Sequence, residues 1–314
     1  ILIAIVVILV IAVGVLFAIK LVKEKNKGED QVISLGTDTL GKQDEEKTKQ
    51  DVNIFSGDER PIAIMIDNHK GALPQAGLND AYIVYEIIVE GGETRLMEVL
   101  KGKNLEKVGP IRSSRHYFLD YALENDAIYV HYGWSPQAQY DISNLGVNNI
   151  NGISESESSF WRVKDKRAPH NVATSTAKIL SIAERKGYKT TSTKKSVLNY
   201  VTDEVELTDG QNAEKITIPY SYSNDVEYTY DATTKRYQRY SKGVKETDWS
   251  TGENITTKNI IITFAKNSVL NDGENKDRQT LSNVGTLNGY YITNGKSIKI
   301  TCEKTSRSAQ TVYK

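Results

Sequence analysis

The strongest constraint on the fold is a set of short apolar runs that do not alternate with polar residues. Ile62-Ala63-Ile64-Met65-Ile66 ends in Asp67-Asn68, Ala81 to Glu90 runs into Gly91-Gly92, and Arg95 to Leu100 and Ala127 to Tyr132 follow. A strand with one wet face alternates, whereas a near-continuous apolar strand is buried on both faces. Two helical segments lie among these runs. Ser135-Pro136 opens one that reaches Leu145 and stops at Gly146, and Ser175 to Lys186 places Ile179, Leu180 and Ile182 on one side before Gly187. The expectation over residues 58–190 is therefore an α/β or α+β domain, a mixed sheet covered by helices.

After Lys186 the texture changes. Short tyrosine-rich alternating runs follow, such as Lys215 to Tyr220, Val226 to Tyr230, Arg236 to Tyr240 and Asn259 to Phe264, and Asn294-Gly295 between two apolar runs signals a hairpin. This predicts a smaller, mainly antiparallel β domain over residues 191–314. Ahead of both domains, Ile1 to Ile19 is apolar apart from alanines and Gly14. It reads as a transmembrane helix, taken as residues 1–22, because at about 1.5 Å per residue it reaches the thickness of a bilayer core. Residues 23–57 are rich in Lys, Glu, Asp and Thr and read as a disordered tether. Lys20, Lys23, Lys25 and Lys27 after the span would favour a cytoplasmic body by charge alone. The chain opens at Ile1 and stops at Lys314 directly after a strand-like run, so further residues are expected at both ends.

Forty Lys and Arg balance forty Asp and Glu, which gives no reason to expect a nucleic-acid partner. The single cysteine, Cys302, excludes an intramolecular disulfide and a multi-cysteine zinc site, and it sits in an alternating run where a small buried apolar residue is expected. Signatures for nucleotide, dinucleotide, zinc-protease and serine-hydrolase chemistry are absent, and neither a cofactor nor a metal is expected.

The chemistry-bearing residues concentrate in Gly109-Pro110-Ile111-Arg112-Ser113-Ser114-Arg115-His116, a run expected at a strand-to-helix junction with the helix starting near Ser113 or Ser114. Arg112, Ser113, Ser114 and Arg115 would form an anion pocket there, joined by Arg95. Asp67, Glu90 and His131 sit at strand ends and are the candidate general bases if the strands gather them at one sheet edge. A second candidate is the loop from Ser158 to Asn171, where Trp161 could stack on a sugar and Arg167 and His170 could meet an anion. The competing structural reading makes the arginines salt-bridge anchors, Asp67 a turn cap, Glu90 a partner of Arg95, His131 a core histidine and the loop aromatics core residues.

Arg60 to Asn68, Tyr85-Glu86, Glu90 to Arg95, Gly109 to Arg115 and Arg167-Ala168-Pro169-His170-Asn171 together resemble the YerB-like lipoprotein family of Gram-positive bacteria. The resemblance spans about Arg60 to Lys314. It implies a two-domain envelope protein facing outward, with an N-terminal α/β domain of unknown function and a smaller β-rich C-terminal domain, but no reaction. The family's lipid-attachment cysteine is absent, so the apolar anchor would replace it. The resulting expectation is a membrane-anchored extracytoplasmic protein that binds a wall polymer, a lipid phosphate, another anionic or glycan ligand, or a partner protein. The alternative is an envelope enzyme, phosphotransferase- or hydrolase-like, acting on a phosphorylated or glycan substrate.

Overall fold

The computed structural model describes residue 55, residues 57–274 and residues 276–314. The segment read as a membrane helix lies outside the described residues, as does the tether apart from Phe55 and Gly57. Among the described residues no helix is long and apolar enough to cross a membrane.

In the N-terminal half the elements run β1 (Ile62–Asp67), β2 (Ile83–Ile88), β3 (Thr94–Leu100), α1 (Phe118–Glu124), β4 (Ile128–His131), α2 (Pro136–Asn144), β5 (Asn149–Asn151), β6 (Trp161–Arg162), β7 (Val172–Ala173) and α3 (Thr176–Arg185). Five strands form one sheet in the order β2-β3-β1-β4-β5. The pairs β2/β3 and β1/β3 are antiparallel, and β1/β4 and β4/β5 are parallel. Every residue of β1 and β3 is buried, which accounts for their continuous apolar texture. Ser135 caps α2 by accepting from the amide of Ala138, and Ser175 caps α3 by accepting from that of Lys178.

The expected helix-covered α/β domain is not what these strands build. Strand dominates among the described residues, and the three α-helices have 7, 9 and 10 residues. On one sheet face Leu78, Val108, Ile111, Phe160 and Val172, from loops and a two-residue strand, join Ile179 and Ile182 of α3. On the other, Phe118, Leu119 and Ala122 of α1 and Ile142 of α2 do the packing, with Leu281 of the C-terminal half against them. Burial on both faces excludes water but leaves open what excludes it. Irregular chain and a second β unit serve here where helices were expected.

Among the described residues the C-terminal half contains two five-stranded antiparallel sheets and a two-stranded one, Lys266–Val269 with Gln279–Ser282. Of the five-stranded sheets, one is built on Lys215–Ser221, Asn224–Asp231 and Arg236–Ser241, the other on Asn259–Thr263, Gly285–Thr293 and Lys296–Lys304. Asn294-Gly295 turns the last hairpin, with both residues at positive φ. Ala213, Tyr237, Ile260 and Ile292 form the core between the sheets, and Cys302 is buried in the last long strand.

Both halves belong to one compact unit and are joined by buried charge. Lys304 Nζ donates to Glu124 Oε2 at 2.7 Å with both side chains almost wholly buried. Arg239 reaches Glu86 at 2.9 Å, and Arg307 pairs with Asp120 at 2.7 Å and Asp141 at 2.6 Å.

Candidate functional site

Antiparallel pairing of β1 with β3 sets Asp67 directly opposite Arg95 at one edge of the sheet. The segment Pro110–Ser114 then threads into the gap at the end of the parallel pair β1/β4. Asp67 donates its amide to Pro110 O, Arg112 donates to Met65 O, Tyr132 to Arg112 O and Ser114 to Gly133 O. Gly109 makes the entry possible: its φ is +136°, and a methyl group there would sit 2.9 Å from Val172 O. Threading of this kind replaces the expected helix start at Ser113 or Ser114. The helix begins at Phe118, Tyr117 gives it no side-chain cap, and the amides of Arg112 and Ser114 are already bonded.

What gathers at this edge is a cluster of guanidinium groups. Arg115 Nε lies 2.5 Å from Glu90 Oε1 and its Nη1 donates to Ser114 O at 2.7 Å. Arg95 Nη1 donates to Ser113 O at 2.7 Å, and its Nη2 lies 3.7 Å from the other oxygen of Glu90. Arg112 Nε lies 3.4 Å from Asp67 Oδ2, and its two terminal nitrogens have no partner among the described residues. Three guanidinium groups therefore share two carboxylates. Burial pulls Arg95 down to about 9, and the neighbouring charges of Arg115 and Arg112 reinforce that shift against Glu90 and Asp67. In Glu90, hydrogen bonding and charge from Arg115 and charge from Arg95 overcome the opposing effect of burial and hold the carboxyl below its ordinary value.

Asp67 also carries an imidazole. His170 Nδ1 lies 2.7 Å from Asp67 Oδ2, the same oxygen that faces Arg112. His69 stacks on His170 with ring centroids 4.2 Å apart and planes 9° from parallel. Its Nδ1 accepts from the Gly71 amide at 3.0 Å, and its own amide donates to Asp67 Oδ1 at 3.1 Å. Burial, His170 and Lys242 lower the pKa of His69 against the opposing pull of Glu93 and Asp67.

The edge thus brings together Asp67, Glu90, Arg95, Arg112, Arg115 and His170. Ser113 enters through its carbonyl. Ser114 is turned inward, its Oγ accepting from the Tyr129 hydroxyl at 2.8 Å. His131 takes no part: it is fully buried, with Nδ1 2.7 Å from Gly133 O, Nε2 3.3 Å from Asn149 Oδ1 and its ring between Tyr129 and Trp134. Burial lowers its pKa to about 4, so the ring is neutral and its one N–H, on Nδ1, donates to Gly133 O. Trp161 is half-buried opposite Ala173, and no hydrogen bond or ring contact joins it to the arginines. Arg167 is exposed and its side chain has no ion pair among the described residues, while its carbonyl accepts the amide of His170 at 2.9 Å.

Three contributors escaped the sequence reading. His69 directly follows Asp67-Asn68, so its nearness was visible although its stacking was not. Arg278 Nε lies 3.8 Å from Glu90, and Lys242 Nζ donates to Glu93 at 2.6 Å; both come from the C-terminal half and carry no local signature. Arg278 is held mainly by Asp272 and Glu274 of its own loop. A separate surface cleft of about 420 Å³ lies at the other end of the sheet, where Arg60 is bonded to Asp126 and Asn148. Its arginine is engaged on every side, unlike Arg112. Among the described residues no His, Cys, Asp and Glu group of three or more could hold a metal ion.

The chain matches the family described as "Protein of unknown function (DUF3048) N-terminal domain" over residues 48–189 and its C-terminal domain over residues 216–314. It is 35% identical over 231 residues to the Bacillus subtilis (strain 168) protein named "Putative lipoprotein YerB", covering 74% of this chain and 69% of that one. The chain belongs to the DUF3048 family. The crystal structure of YerB from Bacillus subtilis matches with a TM-score of 0.70 at 31% identity, over 82% of this chain and 85% of that chain. Within the DUF3048 frame the three arginines and both histidines fall in the N-terminal match, and Lys242 and Arg278 in the C-terminal one.

Proposed function

We propose that this protein is a membrane-anchored, extracytoplasmic envelope protein that holds an anionic ligand, a phosphate of a wall polymer or of a lipid, on Arg95, Arg112 and Arg115. The observation that carries the reading is the shortage of carboxylates: three guanidinium groups share Asp67 and Glu90. Arg95 and Arg115 are buried. An uncompensated charge withdrawn from water costs several kcal/mol, so a purely structural network would pair each arginine. Here one positive charge is left over, next to the two terminal nitrogens of half-exposed Arg112, which have no partner among the described residues. Guanidinium groups in this state suit bidentate contact with a phosphate. The lipoprotein name of the Bacillus relative supports the envelope location.

Binding of the full chain to vesicles containing an anionic phospholipid and to purified wall polymer tests the reading, wild type against Arg112→Ala. Loss of about one charged hydrogen bond, roughly 1.5–3 kcal/mol, predicts a ten- to hundredfold weaker interaction. Equal affinities for wild type and variant with both ligands would remove the anion site. Protease added outside intact cells digests the body if it is extracytoplasmic; full protection would overturn that location.

A further inference from the structure

We propose that the arginine edge is a phosphodiesterase site in which His170, oriented by Asp67, is the general base; this rests on the anion-binding reading. Two independent features of the geometry support it. The first is tautomer control. With Asp67 Oδ2 2.7 Å from Nδ1, that nitrogen carries the proton, and the Nε2 lone pair is left without a partner among the described residues. This is the arrangement a proton acceptor needs, and the half-buried ring is reachable from solvent. His69 is set the other way. Its Nδ1 accepts from Gly71, so Nε2 carries the proton and the neutral ring is a hydrogen-bond donor stacked beside the base.

The second feature is the shared oxygen. Asp67 Oδ2 faces both His170 and Arg112, so an anion on the outer nitrogens of Arg112 is a neighbour of the imidazole. Oriented guanidinium groups would also stabilise charge gathering on phosphoryl oxygens in the transition state. The charge balance selects the substrate class. Arg95, Arg112 and Arg115 against Asp67 and Glu90 leave one positive charge, while Lys242 is matched by Glu93, and Arg278 and Lys276 together by Asp272 and Glu274. A phosphodiester carries one negative charge near neutral pH, whereas a monoester carries nearly two.

In the step itself, water oxygen forms a bond to phosphorus as His170 Nε2 takes the water proton. The bond from phosphorus to one ester oxygen breaks, the departing alkoxide takes a proton from solvent, and His170 gives the water's proton back to solvent. One diester and one water become one monoester and one alcohol. The charged and titratable groups nearest His170 are Asp67 and the stacked His69, with Arg112 on the same Asp67 oxygen, and those around His69 are Asp67, Glu93, His170 and Lys242.

The test uses the full chain with bis(p-nitrophenyl) phosphate and p-nitrophenyl phosphate, following nitrophenolate release, with diester binding measured separately by calorimetry. The expected result is turnover of the diester above the monoester. His170→Asn should lower the rate on the order of 10²–10⁴-fold while shifting the binding constant only a few fold. Asp67 is a positioning residue. Asp67→Asn replaces the acceptor that holds the proton on His170 Nδ1, so kcat should fall while KM for the diester changes only a few fold, and the loss should not add to that of His170→Asn. Binding of the diester without turnover by the wild type, or equal rates for wild type and His170→Asn, would overturn the catalytic proposal and leave the anion site standing. Failure of the wild type to bind any phosphate ester would overturn the anion site and this proposal with it.

Discussion

Replacing Glu98 by glutamine should make the stability of this protein less dependent on pH, in a direction its burial dictates. Glu98 lies in the middle of β3, opposite Ile64 on one side and Val84 on the other, and is fully buried. Among the described residues both carboxyl oxygens lack a hydrogen-bond partner, and they face Gly77, whose amide donates to Asp248 Oδ2 at 3.1 Å. Burial pushes the Glu98 pKa well above the ordinary carboxylate value, and the charges of Asp248 and Asp80 push the same way. The folded state therefore keeps a proton that the unfolded chain releases near pH 4.3. Between the unfolded and the native pKa, stability falls as pH rises, by about 1.4 kcal/mol per unit for this one group. Below the unfolded value both states are protonated and the contribution is constant. Glutamine cannot ionise, so Glu98→Gln removes this slope and leaves every other titration in place. From pH 5 to pH 7 the variant should gain nearly 3 kcal/mol on the wild type if Glu98 stays neutral throughout, or roughly 5–10 °C in Tm. Urea unfolding at pH 5, 6 and 7 measures it. The amide's own burial cost is the same at each pH and cancels in the slope. A difference between the two proteins that does not change with pH would refute the reasoning.

Two further predictions concern the joint between the halves and the turn that carries Glu90. Lys304→Met should cost about 3–5 kcal/mol in chemical denaturation, because it strands the buried Glu124 carboxylate, and adding Glu124→Gln should recover much of that loss. Gly92→Ala should destabilise more than Gly91→Ala in the same measurement. Both glycines have positive φ, worth about 1–2 kcal/mol against any L side chain, but a methyl on Gly92 would also meet Ser221 Cβ at 2.6 Å whereas nothing lies within 4 Å of Gly91.

Much of the local structure was legible in the residues. Ser135-Pro136, Ser175 and Asn294-Gly295 mark two helix starts and a hairpin because each acts through its own backbone neighbours. Glu90, Arg95 and Arg112 were legible as polar residues at strand ends, where a sheet brings distant chain positions to one edge. His131 satisfied the same rule and yet lies outside the cluster, because its ring is turned between Tyr129 and Trp134. Position at a strand end does not say which way a side chain turns. The helix expected at Ser114 failed for a related reason: capping preference is a local tendency, and the carbonyls of Met65 in β1 and of Gly133 just past β4 took the amides of Arg112 and Ser114.

By itself the sequence determined that β1, β3 and β4 are strands buried on both faces, where the texture changes from the first half to the second, and which arginines and carboxylates stand at strand ends; β2 has the same texture but is an edge strand only partly buried. Tertiary structure decided what covers the sheet, and here irregular chain and a second β unit share that work with three short helices. It also decided the charge balance at the arginine edge, with Asp67 facing Arg112 and His170, and Glu90 shared by Arg95 and Arg115. Periodicity reports whether a position meets water, and it is a property of neighbours along the chain. Pairing of charges joins residues far apart in the chain, 103 positions for Asp67 and His170 and 187 for Asp120 and Arg307, and only the folded chain brings them within reach.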